Sequence, residues 1–416
     1  MIIRNRTALR SLPIAPALAA LALTLGLSAQ DKVTVFRGAQ VHPVAAAPIQ
    51  NGVVVVAGGR IVAVGGADTK VPDGAQVVDC TGKFLTPGLV DAGTTLGVDG
   101  QDLNEQGEEV TPHLRVVDAL DPKDPRLARA RRGGVTTIQV NPGNRNVVGG
   151  LGAVIKTHGD TVAEMLVQDE SGLRLTMGSE PSSGNRAIRG GTPVGIYYRR
   201  PTTRMGVVWE ARKAFYDAMA YQEQKTVPEG DPENTGYDPG MEVLVRALRG
   251  EVTVRTTARA EQDIRTAIRL AEEFGYKTMV EEATEAWRVV DDLAAAGIPV
   301  LVAAPSQTAA PEGADVRYHT LNLLAQKDVP FAICTGADNI GMSLAREAMF
   351  AVRHGLPHDR ALRAVTLDAA RLIRVDDRVG ALAPGLEADL VIWNGDPLSP
   401  TTKAEAVYIR GQEVTP

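Results

Sequence analysis

Apolar and polar positions change their rhythm twice along this chain. From Val33 to about Phe84, short β-rich runs alternate with glycine turns (VTVFRGAQVH, GVVVVAGGRIVAVGG, AQVVDC), the pattern of strands joined by tight turns. The same style returns from Arg378 to Pro416 in ADLVIWNG and AVYIRGQEV. Between them, strand-like runs alternate with helical periodicity. VTVRTTA (252–258) precedes DIRTAIRLAEEFG, where Ile264, Ala267, Ile268, Ala271 and Phe274 keep helical spacing. KTMVEEA (277–283), IPVLVAA (298–304) and VPFAICTG (329–336) follow, each with its own helical stretch: EAWRVVDDLAAAG, YHTLNLLAQ and SLAREAMFAVRHG. Strand starts 25, 21 and 31 residues apart imply βα units with parallel strands. Upstream, FLTPGLVDAG, GVTTIQVNPG and GAVIKTHG supply further strands, enough to close a barrel. The expected architecture is α/β: a (β/α)8 TIM-like barrel over 86–375, with a small β-sandwich built from 30–85 plus 376–416. Functional groups then belong at the strands' C-terminal ends, at Asp91–Thr95, Asn141–Asn146, Lys156–His158, Thr256–Arg259, Glu281–Thr284 and Thr335–Asp338.

The first 29 residues read as a secretory signal peptide. Arg4, Arg6 and Arg10 form a positive region, the apolar run Ala17–Leu27 follows, and Ser28 and Ala29 supply small residues before cleavage. An uncleaved amphipathic anchor is the alternative reading. Eleven apolar residues are too few to span a bilayer, and no later segment is a transmembrane candidate. The expected product is secreted or periplasmic and soluble. Losing three arginines and no acid takes its formal charge from −6 to −9. That charge, with only 4% aromatic residues, excludes a nucleic-acid binding face. Cys80 and Cys334 each lie inside a strand-like run, which favours two buried thiols over a disulfide, and no CxxC spacing supports a zinc site.

KFLTPGLVDAGTTLG (83–97) resembles the first barrel strand of the amidohydrolase superfamily, in which Pro-Gly and Asp-Ala precede a His-x-His pair. RVGALAPGLEADLVIWNGDPL (378–398) resembles that superfamily's return into its β-domain, and GRIVAVG its approach to the barrel. The likeness runs from about 33 to 416 and is strongest to the imidazolonepropionase-like branch. It implies a hydrolase of carbon–nitrogen bonds in which a divalent metal activates water. The implied ligand positions are Gly93 and Thr95 on the first strand, Thr257 on the fifth, Glu282 on the sixth and Gly336 on the eighth, none carrying the usual side chain.

No cofactor is therefore expected. The alternative is an oxygen-rich Mg or Ca site from Glu282, Asp338 and a carboxylated Lys156. Asn144 and Arg145, in the glycine-rich stretch 141–156, and Arg204, in the basic stretch 197–206, complete the candidate ligand contacts with Lys156, Glu282 and Asp338. The other histidines (His42, His113, His319, His354, His358) are assigned structural or surface roles. Ser343 in GMSLA reads as a helix cap rather than a nucleophile. The expected function is an exported, catalytically impaired amidohydrolase relative that binds a small molecule. Its expected assembly is a homo-oligomer, or a hetero-oligomer supporting an active homologue. The competing readings are an active hydrolase of cyclic amides or small peptides through a non-standard site, and a structural exported protein.

Overall fold

The computed structural model describes residues 33–105, 107–183, 201–225, 236–303, 314–336 and 343–414. Residues 1–29 and Asp338 lie outside the described residues. The chain first lays down β1 (Thr34–Val41), β2 (Ile49–Ala57), β3 (Arg60–Gly65), β4 (Gln76–Asp79) and β5 (Phe84–Pro87). The barrel segment follows with β6 (Leu89–Thr94), α1 (Pro125–Arg132), β7 (Val135–Val140), β8 (Val148–Lys156), α2 (Val162–Met165) and β9 (Leu166–Thr176). Helices α3 (Arg204–Gln224) and α4 (Pro239–Leu248) lead into β10 (Val254–Thr257), α5 (Glu261–Phe274), β11 (Thr278–Glu281), α6 (Val290–Ala296) and β12 (Val300–Ala303). Then come α7 (Thr320–Gln326), β13 (Phe331–Cys334), α8 (Leu344–Arg353), α9 (His358–Ala364) and α10 (Leu367–Leu372), before β14 (Leu390–Trp393), β15 (Ala404–Ile409) and β16 (Gln412–Glu413).

The two ends of the chain share one eight-stranded sheet, ordered β16-β15-β14-β5-β1-β2-β3 with β4 added beside β1. The N- and C-terminal segments thus build one β-domain together, with β1 pairing β4 through Thr34–Arg37 and β5 through Gln40–Val41. Its strands are apolar on both faces: Phe36 and Val41 join one buried cluster with Leu85 and Ile392, while Val35 joins another with Val53 and Val55.

Strands β6 to β13 form the second eight-stranded sheet, in sequence order, and an isolated parallel bridge between Thr94 and Gly336 brings its two edges together. The helices form for visible reasons. In α5 the spaced apolar residues Ile264, Ala267 and Ile268 are buried, acidic Glu261 and Asp263 occupy the first turn, and Gly275 ends the helix at φ 72°. Ser343 stands at the N-cap of α8, although its side chain makes no capping bond. No helix among the described residues is long and apolar enough to cross a membrane.

The barrel departs from eight parallel strands in one place. β8 runs antiparallel to both β7 and β9, with Thr137 opposite Lys156 and Val148 opposite Leu175. The cause is connection length. Residues 141–147 and 157–165 are each shorter than the dozen or so that a parallel crossover needs, so these neighbours can only be antiparallel. Reversal sends the C-terminal end of β8 to the base of the barrel. Lys156, expected at the mouth, lies there fully buried between Glu387 Oε2 (2.8 Å) and Asp389 Oδ2 (2.7 Å). Arg378 Nε donates to Glu387 Oε1 at 2.7 Å, and the Arg410 amide donates to Asp389 Oδ1 at 3.0 Å. This cluster fastens the mixed sheet to the barrel base.

Candidate functional site

At the mouth, alternation along β9, β10 and β11 turns Arg174, Arg255, Thr257 and Glu281 inward. Arg174 and Arg255 are register partners on adjacent strands, so two guanidinium groups lie side by side and require a counter-charge. Glu281, next strand along, supplies it: Arg174 bonds Oε2, and Arg255 Nη2 stands 2.5 Å from Oε1. The Arg255 contact is off the hydrogen-bond axis, which leaves Oε1 without a directed donor while the charges still touch. Arg255 also donates to the Ala92 carbonyl at 2.6 Å. All three side chains are at most 3% exposed, and burial lowers the Arg255 pKa.

Glu282 faces a second pair of cations. Arg259 Nε donates to its Oε2 at 2.8 Å, Arg174 Nη2 approaches Oε1 at 3.4 Å, and Asn144 Nδ2 donates to Oε1 at 3.1 Å. Burial alone would raise this carboxyl's pKa, but the two guanidiniums overcome it and the net shift is downward. Arg259 also pairs with Glu180 at 2.6 Å, and Glu282 and Glu180 together raise its pKa against the effect of burial. The Glu282 backbone sits at φ 55°, a left-handed conformation costing a side chain on the order of 1–2 kcal/mol. The arginine and asparagine contacts hold it there. Three guanidiniums thus meet three carboxylates in the barrel's upper layer.

The remaining ligand positions are equally committed. Thr257 Oγ1 donates to Asn144 Oδ1 at 3.2 Å, the same oxygen that Arg174 holds. A Cβ on Gly93 would stand 2.7 Å from Leu301 Cδ2 and 3.4 Å from Cys334 Sγ, so Leu301 fills the space a larger side chain would need. Asp91, fully buried, accepts from the Thr335 amide (3.1 Å) and hydroxyl (2.5 Å); burial pushes its pKa up to about 6. Burial likewise pushes the Cys334 thiol well above its ordinary value. The central space bounded by Gly93, Thr95, Arg174, Glu282 and Gly336 is about 10 Å3, room for roughly one water.

A divalent cation does not fit this donor set. Its carboxylates are already neutralised by guanidiniums, no imidazole is present, and among the described residues no three His, Cys, Asp or Glu side chains converge to hold a metal. Of the other candidate contacts, Arg145 is exposed in the β7–β8 loop at the mouth. Asn144 is buried within the network, and Arg204 leaves the barrel to pair with Asp263 on α5 at 3.2 Å. Arg174 and Arg255 escaped the sequence reading, although each is the one charge in its stretch, Arg174 in the apolar end of β9 (GLRLT) and Arg255 in the threonine-rich β10 (VRTT).

A barrel with its polar layer at the strands' C-terminal ends, closed below by a sheet from both chain ends, defines an amidohydrolase-type architecture. The sequence profile of the Amidohydrolase family matches residues 247–414. The crystal structure of an amidohydrolase from Thermotoga maritima superposes with a TM-score of 0.83 at 34% identity, covering 92% of this chain and 99% of that one. The chain belongs to the amidohydrolase family. It is also 26% identical over 383 residues to amidohydrolase tasK of Hapsidospora irregularis, spanning 82% of this chain but only 37% of that protein. With the imidazolonepropionase of Stenotrophomonas maltophilia it shares 25% over 386 residues, 84% of this chain and 87% of the relative.

Proposed function

We propose that this chain is an exported amidohydrolase-family protein that does not carry out metal-dependent hydrolysis, and whose barrel mouth binds a small molecule or supports an active homologue in a mixed oligomer. One observation carries the reading: Arg174, Arg255 and Arg259 are buried among the ligand positions and consume the charge of Glu281 and Glu282. A metal would have to displace these cations and then find nitrogen ligands that the chain does not offer there. Export is supported by Arg4, Arg6, Arg10 and the apolar run Ala17–Leu27. The mouth's exposed guanidinium, Arg145, suits a ligand carboxylate.

The alternative, a hydrolase of cyclic amides or small peptides acting through a non-standard site, draws on Asp91, a carboxyl near pKa 6 within the first barrel strand. Its hydrogen bonds to Thr335 seal it from the mouth, which disfavours that role. Elemental analysis of the purified protein, beside a hydrolysis panel of cyclic amides and dipeptides, separates the two. The expected result is well under one equivalent of zinc, nickel, iron or manganese, and no turnover. Near-stoichiometric metal that survives chelation, or turnover above background, overturns the proposal.

A further inference from the structure

At the opposite end of the barrel from the arginine network, the N-terminal end of β11 and the residues just before β10, β12 and β13 roof a cleft of about 620 Å3. Helix α5, the turn after α6 and the end of α10 close its sides. That volume lies in the range of small-molecule sites. Its floor is apolar, formed by Ile268, Met279, Ile298 and Leu372, with Pro299 and Pro330 at the strand starts. Its rim is cationic: Lys277, Arg371 and Arg374, all exposed, face a single carboxylate, Glu272.

The rim cations are weakly committed. Lys277 donates to the Gly250 carbonyl at 3.2 Å, and Arg371 stands 3.5 Å from Asp368 and 3.8 Å from Asp376. Arg374 makes no ion pair among the described residues. A second observation concerns Tyr276, which lines the cleft at 4% exposure. Its phenol oxygen is buried without a hydrogen-bond partner, an uncommon state for a native polar group. Stacking on Phe215, with ring centroids 4.8 Å apart, keeps the ring from swinging out to water. An apolar floor with a buried phenol among its lining residues, beneath weakly committed exposed cations, is complementary to one kind of guest.

We propose that this basal cleft is a binding site for a small organic anion with a rigid apolar body, such as an aromatic carboxylate. The body covers Met279 and Ile298, while the anionic group meets Arg374 and Arg371, which offer bidentate donors. The site is independent of the mouth, so its occupancy tests nothing about metal or hydrolysis. The reverse also holds.

The probe is 2-naphthoate, titrated into the full chain by calorimetry, with acetate (no apolar body) and 2-naphthylmethylamine (same body, opposite charge) as comparators. Saturable binding of 2-naphthoate is expected, with both comparators at least about tenfold weaker. Arg371→Gln with Arg374→Gln should weaken it by about tenfold or more. Ala271→Trp, which fills the cleft, should abolish it without lowering the melting temperature. No saturable binding up to about 10 mM, equal affinity for the amine, or unchanged affinity in the paired glutamine variant overturns the proposal. If Ala271→Trp fails to fold, the glutamine pair, on exposed positions, still decides the matter.

Discussion

Replacing Glu281 with Gln should cost this protein more than any other single loss of a carboxylate. Glu281 is 2% exposed and is the shared counter-charge of Arg174 and Arg255, themselves 3% and 1% exposed. After the change Arg174 keeps Glu282 at 3.4 Å, but Arg255 keeps only a carbonyl at 2.6 Å. An uncompensated buried charge costs about 3–5 kcal/mol. For a unit of about 385 residues, unfolding entropy is roughly 0.8 kcal/mol/K, so the melting temperature should fall by about 4–6 °C. Adding Arg255→Met removes the stranded cation, and the double variant should recover part of that loss. Thermal melts by circular dichroism, with and without EDTA, are the assay. Wild type should melt at the same temperature in both, because arginines rather than metal neutralise the carboxylates. A Glu281→Gln melt within 1 °C of wild type, or a wild-type melt lowered several degrees by EDTA, would refute the argument.

Restoring the first-strand histidines should fail for steric as well as chemical reasons. In Gly93→His/Thr95→His, the new Cβ at 93 starts 2.7 Å from Leu301, and overpacking of this kind costs typically about 1–3 kcal/mol. Denaturant melts should show that loss, with no tight zinc binding and no turnover; robust turnover would mean the remaining residues already form a working site. Acid should weaken the clamp at the base. Burial would raise the Glu387 pKa, but Lys156 and Arg378 hold it near 2, below an unfolded value of 4.5. Its contribution is therefore complete above pH 4.5 and lost as pH falls toward 2. Glu387→Gln should flatten the stability–pH curve in that window, and an unchanged curve would count against the clamp.

The sequence was most readable where strand and helix rhythms are local. The runs 252–258, 277–283, 298–304 and 329–336 became β10 to β13 within a few residues at each end, because apolar strands bounded by glycine and proline carry their own signal. Helix α3 left no such signal. Val207, Ala211, Phe215 and Ala218 are buried on one side, yet Met205, Trp209, Tyr216 and Met219 are exposed on another, so no apolar stripe stands out. The direction of β8 was recoverable only from connection length, and missing it put Lys156 at the wrong end. At the mouth, the pairing of Arg174 with Arg255 depends on register between strands far apart in sequence, which no local pattern encodes.

The bridge between Thr94 and Gly336 makes the barrel a cylinder with a seam. Neighbouring strands such as β9 and β10, or β12 and β13, are laced over four residue pairs. Between β6 and β13 the backbone bridge rests on the Gly336 amide donating to the Gly93 carbonyl (3.0 Å), and side chains add to it: the Asp91 carboxylate accepts from Thr335, and the Thr335 and Thr94 hydroxyls stand 3.4 Å apart. Here a side chain does the work of missing backbone rungs. Such a line can part while the rest of the wall stays laced, so breathing of the barrel should begin there and let solvent reach the arginines sideways rather than from above. Deuterium uptake at 91–95 and 335–336 running ahead of uptake at 254–257 is the signature to look for, and simultaneous uptake would mean that the cylinder opens as a whole.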